Sequence, residues 1–275
     1  MSFYTSLSGL KAAQTDLGAI SNNLANVGST GFKRSRAQFG DLFASSPTQS
    51  TKMTAGQGVR LNGVVQQFTQ GTLEASDKTL DLGIAGEGFF VVRGAPPRAE
   101  VTYTRNGAFG VDANRNVVDT IGSKLQVLPV DANGNATSTA LSDAQDLVLP
   151  ANSPTDPTAT LANVSIGIDG LVTATYADGS TQMLGKVAMA SFTAVEGLRP
   201  VGDAHWQSTG ESGAALINTA TNGPLGSIRS GALERANVDV TEELVALISA
   251  QRNFQANAKA IETAKNMTQA VININ

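Results

Sequence analysis

Apolar residues recur at intervals of three and four along the first part of the chain: Phe3, Leu10, Ala13, Leu17, Ile20, Leu24 and Val27. Leu7 widens this stripe and Ser6 is its polar exception, while Ser8, Lys11, Thr15 and Asn22 lie opposite. The period predicts an amphipathic helix with a narrow seam of the coiled-coil kind. The helix should end near Val27, because Gly28 and Gly31 supply a backbone free to stop and turn.

The C-terminal stretch repeats the rhythm. Val240, Leu244, Leu247, Phe254, Ala258 and Ile261 keep the spacing, Gln251 interrupts it, and the stripe slides on to Ala264, Met267, Val271 and Ile274. Asp239 and Glu242 stand at the N-cap and N3 positions, a capping box with Asp in place of Ser or Thr. Some 35 residues of helix at 1.5 Å each would reach about 50 Å, a length natural for a coiled coil and long for a helix packed within a small domain.

Between the helices the period falls to two. "LDLGIAGEGFFVVRG", "VTYTRNGAFGVDANRNVV" and "VSIGIDGLVTATYADGSTQMLGKVAMASF" are β-rich runs, and Asn106-Gly107, Asp169-Gly170 and Asp178-Gly179 are hairpin signals. Residues 131–160, with Pro150, Pro154 and Pro157, read as a loose excursion or small lobe. The polar run "ASSPTQSTKMTAGQG" reads as the start of an extended connector. The expected layout has a helical coiled-coil domain from residues 1–43 and 235–275, a connector over 44–76 and a β-rich domain over 77–234. The fold class is therefore α+β: long terminal helices paired as a coiled coil, plus a central all-β domain of short strands.

Composition narrows the function. With 41% hydrophobic residues a core can form, yet only 15% are charged and 5% aromatic. Ala, Gly, Ser, Thr, Asn and Gln fill the gap, and these desolvate at little cost on surfaces that other protein covers. A net charge of −4 argues against nucleic acid as a partner. The absence of cysteine excludes disulfides and thiol chemistry, and a single histidine, His205, excludes a His-rich metal site. The first residues, MSFYTSLSGL, lack the basic and apolar regions of a cleavable signal, and no apolar run of 18 residues exists to insert in a membrane.

Candidate chemistry is sparse. Asp112–Asn116 and Asp131–Asn135 start like calcium loops, but loop position 12 falls on Ser123 and Ser142, so both read as Asn/Asp turns. Gly83, Gly86 and Gly88 follow a strand but precede a β-run where a phosphate-binding helix would have to begin. His205 has no nucleophile at a fixed spacing, and Lys33, Arg34 and Arg36 read as a solvated face or a subunit salt bridge. No catalytic, cofactor or metal site is expected.

"SNNLANVGSTGFKRSR", residues 21–36, then carries the interest. Together with "GLKAAQTDLGAISNNLANVGSTGFKRSRAQFGDLF", "LDLGIAGEGFFVV", "YTRNGAFGVDANRNVV" and "GALERANVDVTEELVALISAQRNFQANAKAIETAKNM", it resembles the axial proteins of the bacterial flagellum, the rod and hook family. The match covers about a third of the chain, at both ends and in order. The terminal stretches are most similar to the hook branch; a distal-rod chain would read closer to "AQRAYE" where Ala250–Gln255 reads "AQRNFQ". Length and middle region look like the distal rod, because hook chains usually insert an outer β domain that residues 120–165 leave little room for.

The resemblance implies a structural subunit of a homopolymeric tube, here a hook that passes torque from rod to filament as a universal joint. The alternatives are a distal-rod drive shaft and a non-flagellar binding module on a helical stalk. In the family the terminal helices pair along the tube's inner wall, which gives Leu10, Leu17, Ile20, Leu24, Val240, Leu244, Leu247, Phe254 and Ile261 an assembly role. The bend and its contacts to neighbours would fall to Asn22, Asn23, Asn26, Gly31, Phe32 and Lys33. Implied partners are further copies of the chain, the distal rod, hook-cap and hook–filament junction proteins, and the flagellar type III export apparatus, which would carry the chain outside without cleaving it.

Overall fold

The computed structural model describes residues 2–43, 56–94, 100–154 and 156–272. The chain opens with α1 (Ser2–Ala25), β1 (Ser35–Phe43), β2 (Gly56–Gln66), β3 (Leu73–Ala75), β4 (Leu82–Ala85), β5 (Phe89–Arg93) and β6 (Val101–Thr104). There follow β7 (Gly110–Val111), β8 (Val117–Val118), β9 (Lys124–Leu128), β10 (Gln145–Asp146), β11 (Leu161–Ile166), β12 (Leu171–Tyr176) and β13 (Thr181–Val187). The last elements are β14 (Met189–Ser191), β15 (Arg199–Gly202), β16 (His205–Gln207), β17 (Leu216–Asn218), β18 (Ser227–Ser230), β19 (Ala232–Glu234) and α2 (Val240–Ile272). The protein is thus α+β, with a mostly β centre between an N-terminal and a C-terminal helix.

Two compact units divide the chain, each drawing on both ends of the sequence. The helical unit comprises Met1–Val27, Lys33–Gln67 and Val238–Asn275; the β unit comprises Gly28–Phe32 and Phe68–Asn237.

In the helical unit α1 packs against α2 on one side and against the β1–β2 hairpin on another. This double burial explains why the apolar stripe of α1 is wide: Ala13, Ala19, Ile20 and Asn23 are all buried. The helices run antiparallel, since Asn23 near the end of α1 meets Glu243 near the start of α2, while Gly9 lies against Asn257. A Cβ on Gly9 would stand 2.7 Å from Asn257 Oδ1, so the missing side chain sets how closely the helices cross. Of the stretch read as connector, residues 44–55 lie outside the described residues. Residues 56–66 form β2, zipped antiparallel onto β1 with Phe39 opposite Leu61.

In the β unit, the main sheet has the order β11-β12-β13-β9-β5-β6-β16-β15. The run Phe89–Val92 reads as unbroken apolar sequence because β5 is buried on both faces. Phe90 and Val92 join Leu82, Leu125, Leu147, Val187 and Ile228 on one side. Phe89 and Val91 join Tyr103, Leu128, Phe192 and Trp206 on the other. The Asp169-Gly170 and Asp178-Gly179 signals both mark hairpins, β11–β12 and β12–β13, and Gly170 and Gly179 adopt φ of 82° and 80°.

Three sequence expectations need correction. Asn106-Gly107 is no hairpin: β6 pairs with β5 and β16, and Gly107 is needed because a Cβ there would meet Leu82 O at 1.7 Å. The 131–160 excursion is not loose. Leu147 and Leu149 are buried in a main core cluster and β10 pairs with β9, because a two-residue apolar period survives just before Pro150. The Lys33–Arg36 cluster is a solvated face only in part, since Lys33 is fully buried and Arg34 half-buried while Arg36 is exposed.

Candidate assembly surface

Asn23 is the keystone of the bend. Its Oδ1 accepts from Ser35 N at 2.8 Å, while its Nδ2 donates to Ser35 O at 2.9 Å and to Glu243 Oε2 at 3.3 Å. One amide thereby closes the last turn of α1, the start of β1 and the first turn of α2. Glu243 is fully buried and is compensated by Arg34, whose Nε lies 2.5 Å from Oε1. Arg34 Nη1 also reaches Glu242 Oε1 at 3.1 Å. A buried acid costs several kcal/mol unless paired and hydrogen-bonded, so these contacts come as a set.

The other amides act locally. Asn26 donates its Nδ2 to Asn22 O at 2.9 Å and so caps the helix it ends, while Asn22 is exposed. Asp239 caps α2, its Oδ1 accepting from Thr241 N at 2.7 Å and Glu242 N at 3.1 Å. The backbone N–H groups of Glu242 and Thr241, and more weakly Arg34, hold the Asp239 carboxyl below its usual range.

In the β unit, Gly31 (φ 69°) donates its N–H to Glu234 O at 2.8 Å. Glu234, wholly buried, also accepts from Gly71 N at 2.7 Å and from Arg105 Nη1 at 3.2 Å. Burial pushes Arg105 below its usual range, opposed by Glu234 and then Glu87. Its guanidinium lies 5.3 Å over the Phe89 ring. Three chain segments therefore converge on one residue, two on its carboxylate and one on its carbonyl. Phe32 is half-buried in this unit.

The remaining polar motifs resolve into structural ties. Asp112 Oδ1 accepts from Asn114 N and Asn116 N, both at 2.8 Å, and Asp131 Oδ1 from Asn133 N at 2.9 Å and Asn135 N at 2.8 Å. His205 Nε2 faces Asp119 Oδ2 at 2.8 Å and Nδ1 faces Asp203 O at 2.8 Å, tying β16 to the turn before β9. Gly86 and Gly88 link β4 to β5, both with φ of 121°.

On the helices, Ile20 is buried and Leu10, Leu17, Leu24, Leu247, Phe254 and Ile261 are half-buried. Val240 and Leu244 are exposed at 42% and 43%, and beside them Val245 and Ile248 stand open at 61% and 49%. The most enclosed positions of α2 are Glu243 and Ala250, one residue before Leu244 and Gln251. The inward line of α2 therefore runs Glu243, Leu247, Ala250, Phe254, and the apolar residues left over face outward.

Comparison with known proteins accounts for a helical pair bearing unsatisfied apolar residues. Residues 3–33 match the family described as flagella basal body rod protein. Residues 83–174 match the flagellar hook protein FlgE/F/G D1 domain, and residues 229–274 the flagellar basal body rod FlgEFG protein C-terminal. The flagellar basal-body rod protein FlgG of Buchnera aphidicola from Acyrthosiphon pisum is 33% identical over 98% of this chain and 97% of its own. The chain belongs to the flagellar rod and hook axial proteins. Among other relatives, FlgG of Bacillus subtilis is 32% identical over 99% of this chain and 98% of its own. The flagellar hook protein FlgE of Escherichia coli is 27% identical over the whole of both chains. A crystal structure of the Helicobacter pylori flagellar hook protein FlgE2 covers 73% of this chain and 43% of that one at 14% identity, with a TM-score of 0.25.

As an axial protein the chain is a structural subunit of the flagellum and not an enzyme, and its partner within the flagellar axis is further copies of itself. No helix among the described residues is long and apolar enough to cross a membrane. Sequence reasoning missed Glu243 and the burial of Lys33. A charged residue on an apolar seam breaks the very pattern used to find the seam, and only its spacing from Leu247, Ala250 and Phe254 could have exposed it.

Proposed function

We propose that this axial protein is a hook subunit, polymerising through α1 and α2 into the curved tube that couples rod to filament. The observation that carries the reading is the stretch Ala250–Gln255, which follows the hook pattern and lies on α2, with Ala250 buried and Phe254 half-buried. A coiled-coil pairing of the two helices fits their antiparallel packing and the 3–4 spacing of Leu247, Ala250, Phe254 and Ile261. The chain would leave the cell unfolded through the type III export apparatus, uncleaved, and meet distal rod, hook-cap and junction proteins at the tube's ends.

One observation favours a second reading, the distal rod. The rod relatives align over 281 positions, close to the 275 residues of this chain. The hook relative needs 410, so it carries a large part with no counterpart here. Expression of the chain in flagellated hosts lacking either the hook protein or the distal rod protein separates the two. Rescue of curved hooks in the first host is expected; rescue of the second host alone would assign the chain to the rod. Mass spectrometry of the recovered polymer should find an N-terminus uncut apart from loss of Met1.

A further inference from the structure

A cleft of about 430 Å³ opens in the helical unit, lined by Asp16, Ala19, Ile20, Asn23, Arg34, Arg36, Phe39, Glu242 and Ala246 among others. Its lining is more polar than apolar, with Ala19, Ile20 and Ala37 buried within it and Phe39 leaning in from β1 while still 39% exposed. Its rim holds two charges, Asp16 and Arg36. Neither Asp16 nor Arg36 makes a hydrogen bond or ion pair among the described residues, and Asp16 feels Arg36 only at a distance. Burial pushes the Asp16 carboxyl above its usual range, with Arg36 opposing.

Elsewhere on the same unit a surface of matching character is exposed. Val245 and Ile248 are 61% and 49% exposed, and Arg252 follows one turn on with no ion pair among the described residues. Positions i, i+3 and i+7 share one face of a helix. On α2 that face is opposite the inward line of Glu243, Leu247, Ala250 and Phe254.

We propose that these two surfaces are the halves of one heterologous contact: Val245 and Ile248 of one copy seat in the cleft of the next, and Arg252 meets Asp16. A contact joining two different patches propagates into a helical array, whereas a patch meeting itself stops at a dimer. The cleft supplies a small apolar patch and a partly desolvated acid, and the α2 face supplies two aliphatic side chains and a cation with no ion pair among the described residues. The second copy is the occupant because the chain belongs to a family of axial subunits, so the inference rests on the self-assembly reading.

The test uses the full-length chain and measures its threshold concentration for assembly by sedimentation and negative-stain electron microscopy. Arg252→Glu and Asp16→Arg should each raise the threshold about tenfold or more, since each sets like charges face to face. The double variant should return to within about threefold of the parent. Because the chain has no cysteine, Ala246→Cys and Ile248→Cys proteins offer a second measurement. Oxidised after co-assembly they should give a disulfide dimer, and neither should do so alone. An Arg252→Glu chain that assembles at the parent's threshold, or a mixture that yields no dimer within normal tubes, overturns the contact. A parent chain that forms no tube at any concentration overturns the self-assembly reading beneath it.

Discussion

Glu234 binds three segments with one carboxylate and one carbonyl, so its replacement separates packing from charge. Glu234→Gln leaves the buried Arg105 guanidinium with only the weaker attraction of Glu87, and breaking a buried pair from one side costs about 3–5 kcal/mol. Urea unfolding of the variant should show a loss of that size. Adding Arg105→Met should recover part of it, but not all, because Gly71 N keeps a poorer acceptor. Acid acts on other residues. The backbone N–H of Asn135, then that of Asn133, holds Asp131 below the ordinary value of 3.8, and the Asn116 side chain does the same for Asp112. Asp156 and Asp178 are lowered likewise, chiefly by Thr158 N–H and the Ser180 hydroxyl. A depressed folded pKa gives stability that is present above the ordinary value and lost as pH falls through the folded one. The urea midpoint should therefore be flat from neutrality down to about pH 4 and fall below it. Asp131→Asn should lower the plateau and shrink the fall.

At the scale of elements, α2 packs on α1 with Glu243 and Ala250 buried and Leu247 and Phe254 half-buried. Phe254→Ala and Leu247→Ala each remove a half-buried anchor, at about 2–3 kcal/mol, the lower end for such truncations. A polymer repeats that loss at every subunit. Both variants should fail to form tubes at concentrations where the parent does, while the main thermal transition of the β unit stays within a degree or two. Tubes of normal yield from Phe254→Ala would show that the seam does not carry assembly. Both helices were legible from apolar spacing, and most of the strands from Gly-punctuated runs. The register of α2 was not: Glu243 hides the seam and Leu244 offers a false one. The β1–β2 hairpin was equally hidden. Gly56, Gly58 and Gly63 dilute its alternation, and the strand gains order from Ser8, whose Oγ accepts from Val59 N at 3.2 Å. That contact joins residues 51 apart, beyond the reach of any local pattern. Arg34 illustrates the same limit, since its partners Glu242 and Glu243 lie at the far end of the sequence.

At the scale of the whole molecule, the sequence inserts a nearly continuous β unit into a discontinuous helical one. Residues 68–237 hold both main core clusters, apart from the Gly31 tie to Glu234. Expressed alone, this segment should fold and unfold in one cooperative step, with a melting temperature a few degrees below the parent's main transition, and should never sediment as a polymer. A segment without tertiary signal in near-ultraviolet circular dichroism would mean that the Gly28–Phe32 turn is indispensable to the unit.

The Asn23–Glu243 hydrogen bond spans 220 residues of sequence, and that separation is also a delay. Synthesis proceeds at about 5–20 residues per second, so α1 emerges roughly 10–40 s before the helix that packs on it exists. A single amphipathic helix of that length is marginal in water, and its apolar face spends the interval available to any other half-made chain nearby. Early association with the wrong neighbour is therefore a hazard of translation order, greatest on crowded polysomes, and it ends only when Glu243 leaves the ribosome.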